Sequence, residues 1–275
     1  MDILINGKSS DTVNIADRGL QYGDGLFETM AVRNGVIHLW EAHWERLTYG
    51  CEILSIPLPN KEEVENEIRL ICNNNEALTE FVIKLIITRG VGERGYRFTK
   101  NQNTTRILSS YPWPNYSKSY QVDGVAVRYC KMTLSENKTI AGIKHLNRLE
   151  QVLARNEWDN NEYQEGLMSN TQGKVVDGTM SNIFAVLDNK IFTPDLSLCG
   201  VSGVMRKTVI NIAKDNNFSV YEKDFTKQEL EMADELFLTN SLFGIWPIKT
   251  INKTRFTRVG AITKQLQKEL NKICH

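Results

Sequence analysis

Apolar positions in the first hundred residues are spaced partly as in strands and partly as in helices. Residues 26–33 and 36–40 flank the pair Asn34-Gly35, which predicts a hairpin with a type I′ turn. The apolar run 81–88 predicts a strand inside a sheet. Between them, apolar residues at helical spacing predict a helix with one buried stripe: Trp40, Trp44, Leu47, Cys51 and Leu54.

The second half of the chain repeats these signals. Segments 183–187 and 190–193 flank Asp188-Asn189 and predict another tight hairpin, and helical spacing predicts helices over 203–216, 226–233 and 258–273. In the stretch 140–153, apolar residues at i, i+3 and i+7 predict a helix with a buried face: Leu146, Leu149 and Leu153.

The length of 275 residues favours two domains. Periodicity lapses between residues 111 and 124, where two prolines occur within a few positions. We therefore predict an N-terminal domain over 1–112, a linker over 113–122 and a C-terminal domain over 123–275. The strands are grouped rather than strictly alternating with helices, which predicts an α+β fold.

Composition excludes several classes of protein. Thirty-three basic and thirty-three acidic residues cancel, so no overall charge draws the chain to nucleic acid or an anionic membrane. No segment approaches 18 consecutive apolar residues. The five cysteines form no CxxC pair and the four histidines form no cluster, which argues against a metal site. We expect a soluble, cytoplasmic globular protein.

Lys144 is the first candidate for chemistry. It follows the small apolar run 140–143 and precedes the predicted helix. Burial and a helix N-terminus both disfavour an ammonium, so this position favours a nucleophilic amine of the kind that Schiff-base chemistry needs. The alternative is a lysine whose stem lies among apolar groups while its amine reaches water.

Three other segments are each consistent with either a chemical role or a purely structural one. Arg46 lies beside the apolar stripe of its helix, either as an anion clamp or as a solvated side chain. Val204 and Met205 open a helix after two glycines, either as a helix start whose backbone N–H groups bind a phosphate or as one that needs glycines for steric reasons only. Asp177 lies between apolar strand residues and a Gly-Thr-Met-Ser turn, either as a turn former or as a buried acid that needs a cation.

Five segments in order resemble the class IV aminotransferase family. They are Tyr-Gly-Asp-Gly-Leu-Phe-Glu at 22–28, Ala-His-Trp-Glu-Arg-Leu at 42–47, the lysine at 144, Val-Val-Asp-Gly-Thr-Met-Ser-Asn-Ile-Phe at 175–184 and Gly-Val-Met-Arg at 203–206. The resemblance implies the two-domain fold of D-amino acid aminotransferase, a fold type IV enzyme with pyridoxal 5'-phosphate between the domains. It also implies a homodimer.

Within that family, three segments look like the branch of lyases that act on 4-amino-4-deoxychorismate. They are Ile-Lys-His-Leu-Asn-Arg-Leu-Glu-Gln at 143–151, Arg-Gly-Val-Gly-Glu-Arg-Gly-Tyr at 89–96 and Asn-Ser-Leu-Phe-Gly-Ile-Trp-Pro at 240–247. Phe27 is similar too, since it lacks the hydroxyl expected in a D-amino acid aminotransferase. The resemblance implies conversion of the substrate to 4-aminobenzoate and pyruvate, a step of folate biosynthesis.

The same resemblance implies roles for individual residues. Lys144 would hold the cofactor and move protons, and Asp177 would pair with the pyridine nitrogen where the family usually has glutamate. The cofactor phosphate would be bound by Arg46, the amides of Val204 and Met205, and Asn240. Two arginines of the glycine-rich segment are candidates for the substrate carboxylates: Arg94 and Arg97.

Two alternatives remain open from the sequence. A D-amino acid or branched-chain aminotransferase would use the same lysine and cofactor, and would convert the cofactor to its amine form when given D-alanine or leucine. A cofactor-free binding or scaffold protein could also be built on this fold, and such a protein would be colourless.

Overall fold

The computed structural model describes residues 2–99, 102–159, 162–252, 254–256 and 259–274, without the side chain of Cys274. The chain forms two compact units. Unit 1 comprises Met1–Pro114 and Ile143–Asn147, and unit 2 comprises Asn115–Gly142 and Arg148–His275. The domain boundaries proposed from the sequence stay a prediction.

Unit 1 is an antiparallel sheet with three helices in its described part. Its elements are β1 (Ile3–Ile5), β2 (Lys8–Ser9), α1 (Arg18–Tyr22), β3 (Gly25–Arg33), β4 (Val36–Ile37), α2 (Trp40–Leu54), α3 (Lys61–Asn74), β5 (Glu80–Thr88) and β6 (Thr105–Pro112).

The described strands of unit 1 are ordered β2-β1-β6-β5-β3-β4. The hairpin of β3 and β4 is confirmed, since Asn34 and Gly35 both have positive φ and Arg33 pairs with Val36. β5 lies between β6 and β3, as its continuous apolar sequence predicts. α3 begins after Asn60, whose side chain accepts hydrogen bonds from the amides of Glu62 and Glu63.

Unit 2 contains the remaining described elements. They are α4 (Ser119–Val122), β7 (Val125–Leu134), α5 (Leu149–Arg155), β8 (Glu165–Asn170), β9 (Val175–Gly178), β10 (Asn182–Leu187), β11 (Lys190–Thr193), α6 (Val204–Asp215), β12 (Val220–Glu222), α7 (Lys227–Glu231), β13 (Glu235–Asn240), β14 (Gly244–Ile251), β15 (Thr254–Arg255) and α8 (Ala261–Cys274).

The strands of unit 2 form a mixed sheet, ordered β12-β11-β10-β13-β14-β7-β8-β9 in the described residues, with β15 beside β14. β9 pairs with β10 as well as with β8. Stacked rings of Phe184 and Phe237, with centroids 4.9 Å apart, lie in the apolar interior. The predicted β10–β11 hairpin is confirmed, and Thr226 and Glu229 form a capping box at the start of α7.

The burial predicted for the helix after Lys144 is wrong. α5 begins only at Leu149, so Leu146 lies before it. Leu149 and Leu153 are 69% and 51% exposed in this chain. Apolar spacing identifies an apolar face but not what covers it, and the fold of one chain leaves this face open. None of the described helices has the length and apolar character needed to cross a membrane.

Candidate functional site

Lys144 lies on a short extended segment that adds to the start of β3. The amide of Phe27 donates to the carbonyl of Lys144 at 3.0 Å, and the amide of Leu146 donates to the carbonyl of Gly25 at 2.9 Å. The amine of Lys144 lies 4.3 Å from the centroid of the Phe27 ring. The lysine is therefore fixed by strand pairing rather than by a helix, and its amine lies against an aromatic face.

Arg46 is part of a buried cluster with Glu28 and His43, which we call the Glu28 cluster. The Nε of Arg46 donates to Oε1 of Glu28 at 2.8 Å, and its Nη2 donates to Oε2. On the other side, Nδ1 of His43 lies 2.6 Å from Oε2 of Glu28. The solvated arginine that the sequence left as an alternative is excluded, because only 12% of this side chain is exposed.

The electrostatics of the Glu28 cluster favour a carboxylate and a neutral imidazole. Burial alone would raise the pKa of Glu28, but the charge of Arg46 and hydrogen bonds from His43 and Arg46 outweigh it and lower the pKa to about 2. Burial lowers the pKa of His43, with the nearby charges of Arg46 and Lys144 adding to the effect against the opposing influence of Glu28. His43 Nδ1–H then donates to Glu28, and the carboxylate fixes the guanidinium of Arg46.

Asp177 lies near the end of β9 and is buried. Its Oδ1 accepts from Nδ2 of Asn182 at 2.6 Å, and its Oδ2 accepts from the amide of Val201 at 2.7 Å. Burial raises the pKa of Asp177 to about 7, against those two hydrogen bonds and the more distant charges of Arg206 and Arg148. Burial thus favours the neutral carboxyl of Asp177, and a cation placed close to it would favour the carboxylate.

The start of α6 lies beside Asn182 and Val201. Gly203 is its N-cap residue and supplies no side-chain cap to the first helical amides. A Cβ at Gly203 would collide with Oδ1 of Asn182, so the close approach requires glycine. Val204 and Met205 follow as the first helical residues, and both are buried. The amides of this helix start are the kind of donor that binds an anion.

Asn240 ends β13 and links two loops. Its Nδ2 donates to the carbonyl of Met180 at 2.5 Å, and its Oδ1 accepts from the amide of Leu242 at 2.8 Å. The side chain thus connects the turn after Asp177 to the loop between β13 and β14. Its predicted contact with a phosphate stays a prediction.

Arg94 and Arg97 are exposed, and they form no hydrogen bond or ion pair with the described residues. The backbone between them is held firmly, because Nη1 and Nη2 of Arg18 donate to the carbonyls of Gly95 and Tyr96 at 2.8 and 3.2 Å. Arg18 is itself paired with Asp24. The two exposed guanidinium groups therefore lie on a loop whose backbone is held by hydrogen bonds from Arg18.

The sequence reasoning missed the residues that hold these candidates in place. Glu28, His43 and Asn182 all lie within the motifs that carried the resemblance, so the signal was available. Val201 and Glu165 had no such signal. Their contacts with Asp177 and with the turn 178–181 join parts of the chain that are distant in sequence.

Comparison with known proteins gives the family. The model of the family described as amino-transferase class IV matches residues 25–251 of this chain. The chain belongs to the class IV aminotransferase family. The resemblance stated from the sequence motifs is thereby confirmed.

Two relatives of known sequence extend this result. The chain is 37% identical to the aminodeoxychorismate lyase of Vibrio harveyi over 271 residues, which covers 97% of this chain and 98% of that protein. It is 32% identical to a putative branched-chain-amino-acid aminotransferase of Methanocaldococcus jannaschii, covering 99% and 96%.

A solved structure of the class IV family supports the same architecture. The crystal structure of 4-amino-4-deoxychorismate lyase from Pseudomonas aeruginosa matches with a TM-score of 0.92 and 42% identity, covering 98% of each chain. The predicted α+β fold is therefore confirmed.

Proposed function

We propose that this chain is a pyridoxal-phosphate-dependent lyase that converts 4-amino-4-deoxychorismate to 4-aminobenzoate and pyruvate. The observation that carries the proposal is its likeness to lyases named for this substrate, at 42% and 37% identity over nearly the full length of both partners. The reaction breaks one C4–H bond and the C3–O bond to the enolpyruvyl group. It leaves an aromatic ring, so no amino acceptor is needed.

The residues present fit pyridoxal phosphate. The cofactor has an aldehyde, a basic ring nitrogen and a phosphate dianion. Lys144 offers an amine, Asp177 is a buried acid whose pKa is raised to about 7 by burial, and α6 begins without a side-chain cap. When bound, the cofactor would delocalise the electron pair left at C4 of the substrate after loss of its proton.

Lys144 would hold the cofactor through Nζ and, once displaced by the substrate amine, would take the C4 proton at the same atom. Pairing with β3 fixes the backbone on which this amine moves. Asp177 would keep the ring nitrogen protonated, and Asn182 and Val201 orient its two oxygens for that role.

The phosphate would be bound by Arg46, the amides of Val204 and Met205, and Asn240. The amides supply directed donors, and Arg46 supplies a full charge. Glu28 keeps the guanidinium of Arg46 in one orientation, which suits it to positioning an anion.

The substrate has two carboxylates and needs cationic partners. Arg94 and Arg97 are our candidates, because both are exposed on a loop whose backbone Arg18 pins. A fixed loop presents its charges with little loss of conformational entropy on binding.

The chain is further proposed to act as a cytoplasmic homodimer. The exposed apolar residues Leu149 and Leu153 of α5 support association, because a neighbouring chain would bury them. Free thiols suit a reducing compartment, and all the cysteines whose side chains are described are free. Sedimentation velocity of the wild type and of Leu149→Glu tests the association.

One experiment tests the activity. The purified protein, loaded with pyridoxal phosphate, is incubated with 4-amino-4-deoxychorismate generated in place, and 4-aminobenzoate and pyruvate are measured. Equal amounts of both products are expected, and none from Lys144→Ala. Absence of both products from the loaded wild type would refute the lyase proposal.

An aminotransferase is the second candidate, favoured by the 32% identity to the Methanocaldococcus jannaschii protein. Addition of D-alanine or leucine to the loaded protein distinguishes the two. Conversion of the cofactor's visible absorption band to that of pyridoxamine phosphate would indicate an aminotransferase.

A further inference from the structure

Glu165 is a buried acid that none of the proposed steps uses. It begins β8, and only 1% of the residue is exposed. Its Oε1 accepts from the amide and hydroxyl of Thr179 at 3.1 and 2.5 Å, and from its neighbour Gly166 at 2.8 Å. Its Oε2 accepts from the amide of Met180 at 3.1 Å and the hydroxyl of Ser181 at 2.7 Å.

No lysine or arginine in the described part of the chain pairs with Glu165. Its five hydrogen bonds therefore have to stabilise a carboxylate that burial removes from water. Four of the five come from the turn 178–181. A Cβ on Gly178 would lie 2.8 Å from Oε2, so the turn packs directly on the carboxylate. Such an arrangement fixes one conformation of the turn.

This turn joins β9, which holds Asp177, to β10, which begins at Asn182. Asp177 pairs with Asn182 across it, in the backbone and through the side chains. Asn182 also donates to the carbonyl of Val201 at 2.8 Å. At the tip, the carbonyl of Met180 accepts from Asn240. The positions of Asp177 and Asn240 thus both depend on the turn that Glu165 holds.

We propose that Glu165 is a positioning residue for the cofactor site, and that its carboxylate holds the 178–181 turn so that Asp177 and Asn240 meet the cofactor. This inference rests on the proposed function and deepens it. Glu165 itself is not proposed to contact the cofactor. It acts through the hairpin, as a buried support for the residues that do.

The test compares the apoprotein of wild type and Glu165→Gln. An amide of the same shape cannot accept from all the donors that the carboxylate serves. Hydrogen–deuterium exchange at residues 178–182 should increase, and titration with pyridoxal phosphate should show affinity weakened by on the order of tenfold or more. The visible band of the bound cofactor should titrate at a different pH, because Asp177 no longer meets the ring nitrogen in one fixed geometry.

Glu235 provides a matched control in the same unit. Its carboxylate accepts from the amides of Ile262 and Thr263 and from the hydroxyl of Thr263, at 3.1, 2.8 and 2.6 Å. These bonds hold the start of α8 rather than the turn. Glu235→Gln should also lower stability to urea, yet it should keep the wild-type cofactor affinity and the wild-type pH dependence of the band.

A second pair of variants keeps the inference testable if Glu165→Gln does not fold. Thr179→Val and Ser181→Ala each remove one hydroxyl donor and leave the carboxylate in place. Each should weaken cofactor affinity by a smaller factor, and Thr179→Ser, which restores the hydroxyl, should recover it.

The outcomes separate the two proposals. This inference alone would be overturned if the wild type, Glu165→Gln and the hydroxyl variants all bound pyridoxal phosphate equally well. Equal weakening by Glu235→Gln would also overturn it, because the role would then be general stability. A wild-type chain that takes up no cofactor would overturn the proposed function. Unchanged hydrogen–deuterium exchange at residues 178–182 in Glu165→Gln would overturn the inference about Glu165, whether or not the cofactor binds.

Discussion

Replacement of Arg46 by alanine tests the proposed phosphate site, and the Glu28 cluster makes the result more complex than loss of one contact. Arg46 pairs with a glutamate whose side chain is almost fully buried. The variant therefore removes a proposed cofactor contact and also leaves a buried carboxylate with His43 as its remaining partner in the cluster.

The structure gives a size for each effect. The pKa of Glu28 is about 2 rather than 4.5, and that difference corresponds to roughly 3 kcal/mol of net stabilisation. Removal of one partner of a buried pair commonly costs about 3–5 kcal/mol, so we expect the apoprotein of Arg46→Ala to lose on that order. Loss of a charge-assisted contact of ~1.5–3 kcal/mol should separately weaken cofactor binding by roughly 10- to 100-fold.

A double variant separates the two effects. In Arg46→Ala/Glu28→Gln the uncompensated charge is gone, so we expect the free energy of unfolding to recover by at least ~1 kcal/mol relative to Arg46→Ala. Cofactor affinity should stay low, because the cation is still missing. Urea denaturation of the apoprotein measures the first quantity, and fluorescence titration with pyridoxal phosphate measures the second.

The reasoning fails if the double variant regains wild-type cofactor affinity, because Arg46 would then act only by neutralising Glu28. A pH series provides a further check. Glu28 has a depressed pKa in the folded state, so its stabilising contribution is present above pH 4.5 and is lost as the pH falls towards 2. Glu28→Gln should lack this part of the acid dependence.

Three further predictions concern other candidate residues. Borohydride reduction of the loaded protein followed by peptide mapping should place the pyridoxyl mass on Lys144, and a label on another lysine would refute the assignment. Burial raises the pKa of Asp177 from 3.8 to about 7, so its contribution to stability is present below pH ~4 and is lost as the pH rises to 7. Urea denaturation of apo Asp177→Asn at several pH values should show a free energy of unfolding without this pH dependence. The same pH dependence in the variant and the wild type would refute the raised pKa of Asp177. Arg94→Ala or Arg97→Ala should raise KM for 4-amino-4-deoxychorismate by about tenfold or more while cofactor affinity stays the same, and steady-state kinetics with unchanged KM would remove that arginine from the substrate site.

Local chemistry in the sequence was sufficient to predict the hairpins. Asn34-Gly35 and Asp188-Asn189 supply the positive φ that a two-residue turn requires, and both turns form as predicted. The N-terminal cap of α7 is equally local, since Thr226 and Glu229 accept hydrogen bonds from each other's backbone amides. These features depend on residues that are close together in the chain.

Features set by distant residues could not be predicted in the same way. No residue near Glu165 in the sequence predicts that the turn at 178–181 donates hydrogen bonds to its carboxylate. The acid at 177 could be singled out, but its raised pKa depends on burial and on an amide from residue 201. The exposure of Leu149 likewise depends on what the rest of the fold leaves uncovered.

Synthesis on the ribosome delivers the two units in an interleaved order. Met1–Pro114 emerges first, but the segment Ile143–Asn147 of the same unit follows only after Asn115–Gly142, which belongs to the other unit. Because nascent chains begin to fold from the N-terminus, we expect the first sheet to be able to form before the segment that carries Lys144 joins it. A chain that stopped after β6 would contain that whole sheet and lack Lys144. If Lys144 holds the cofactor as proposed, the first unit acquires its aldehyde-binding residue only after part of the second unit has been synthesised.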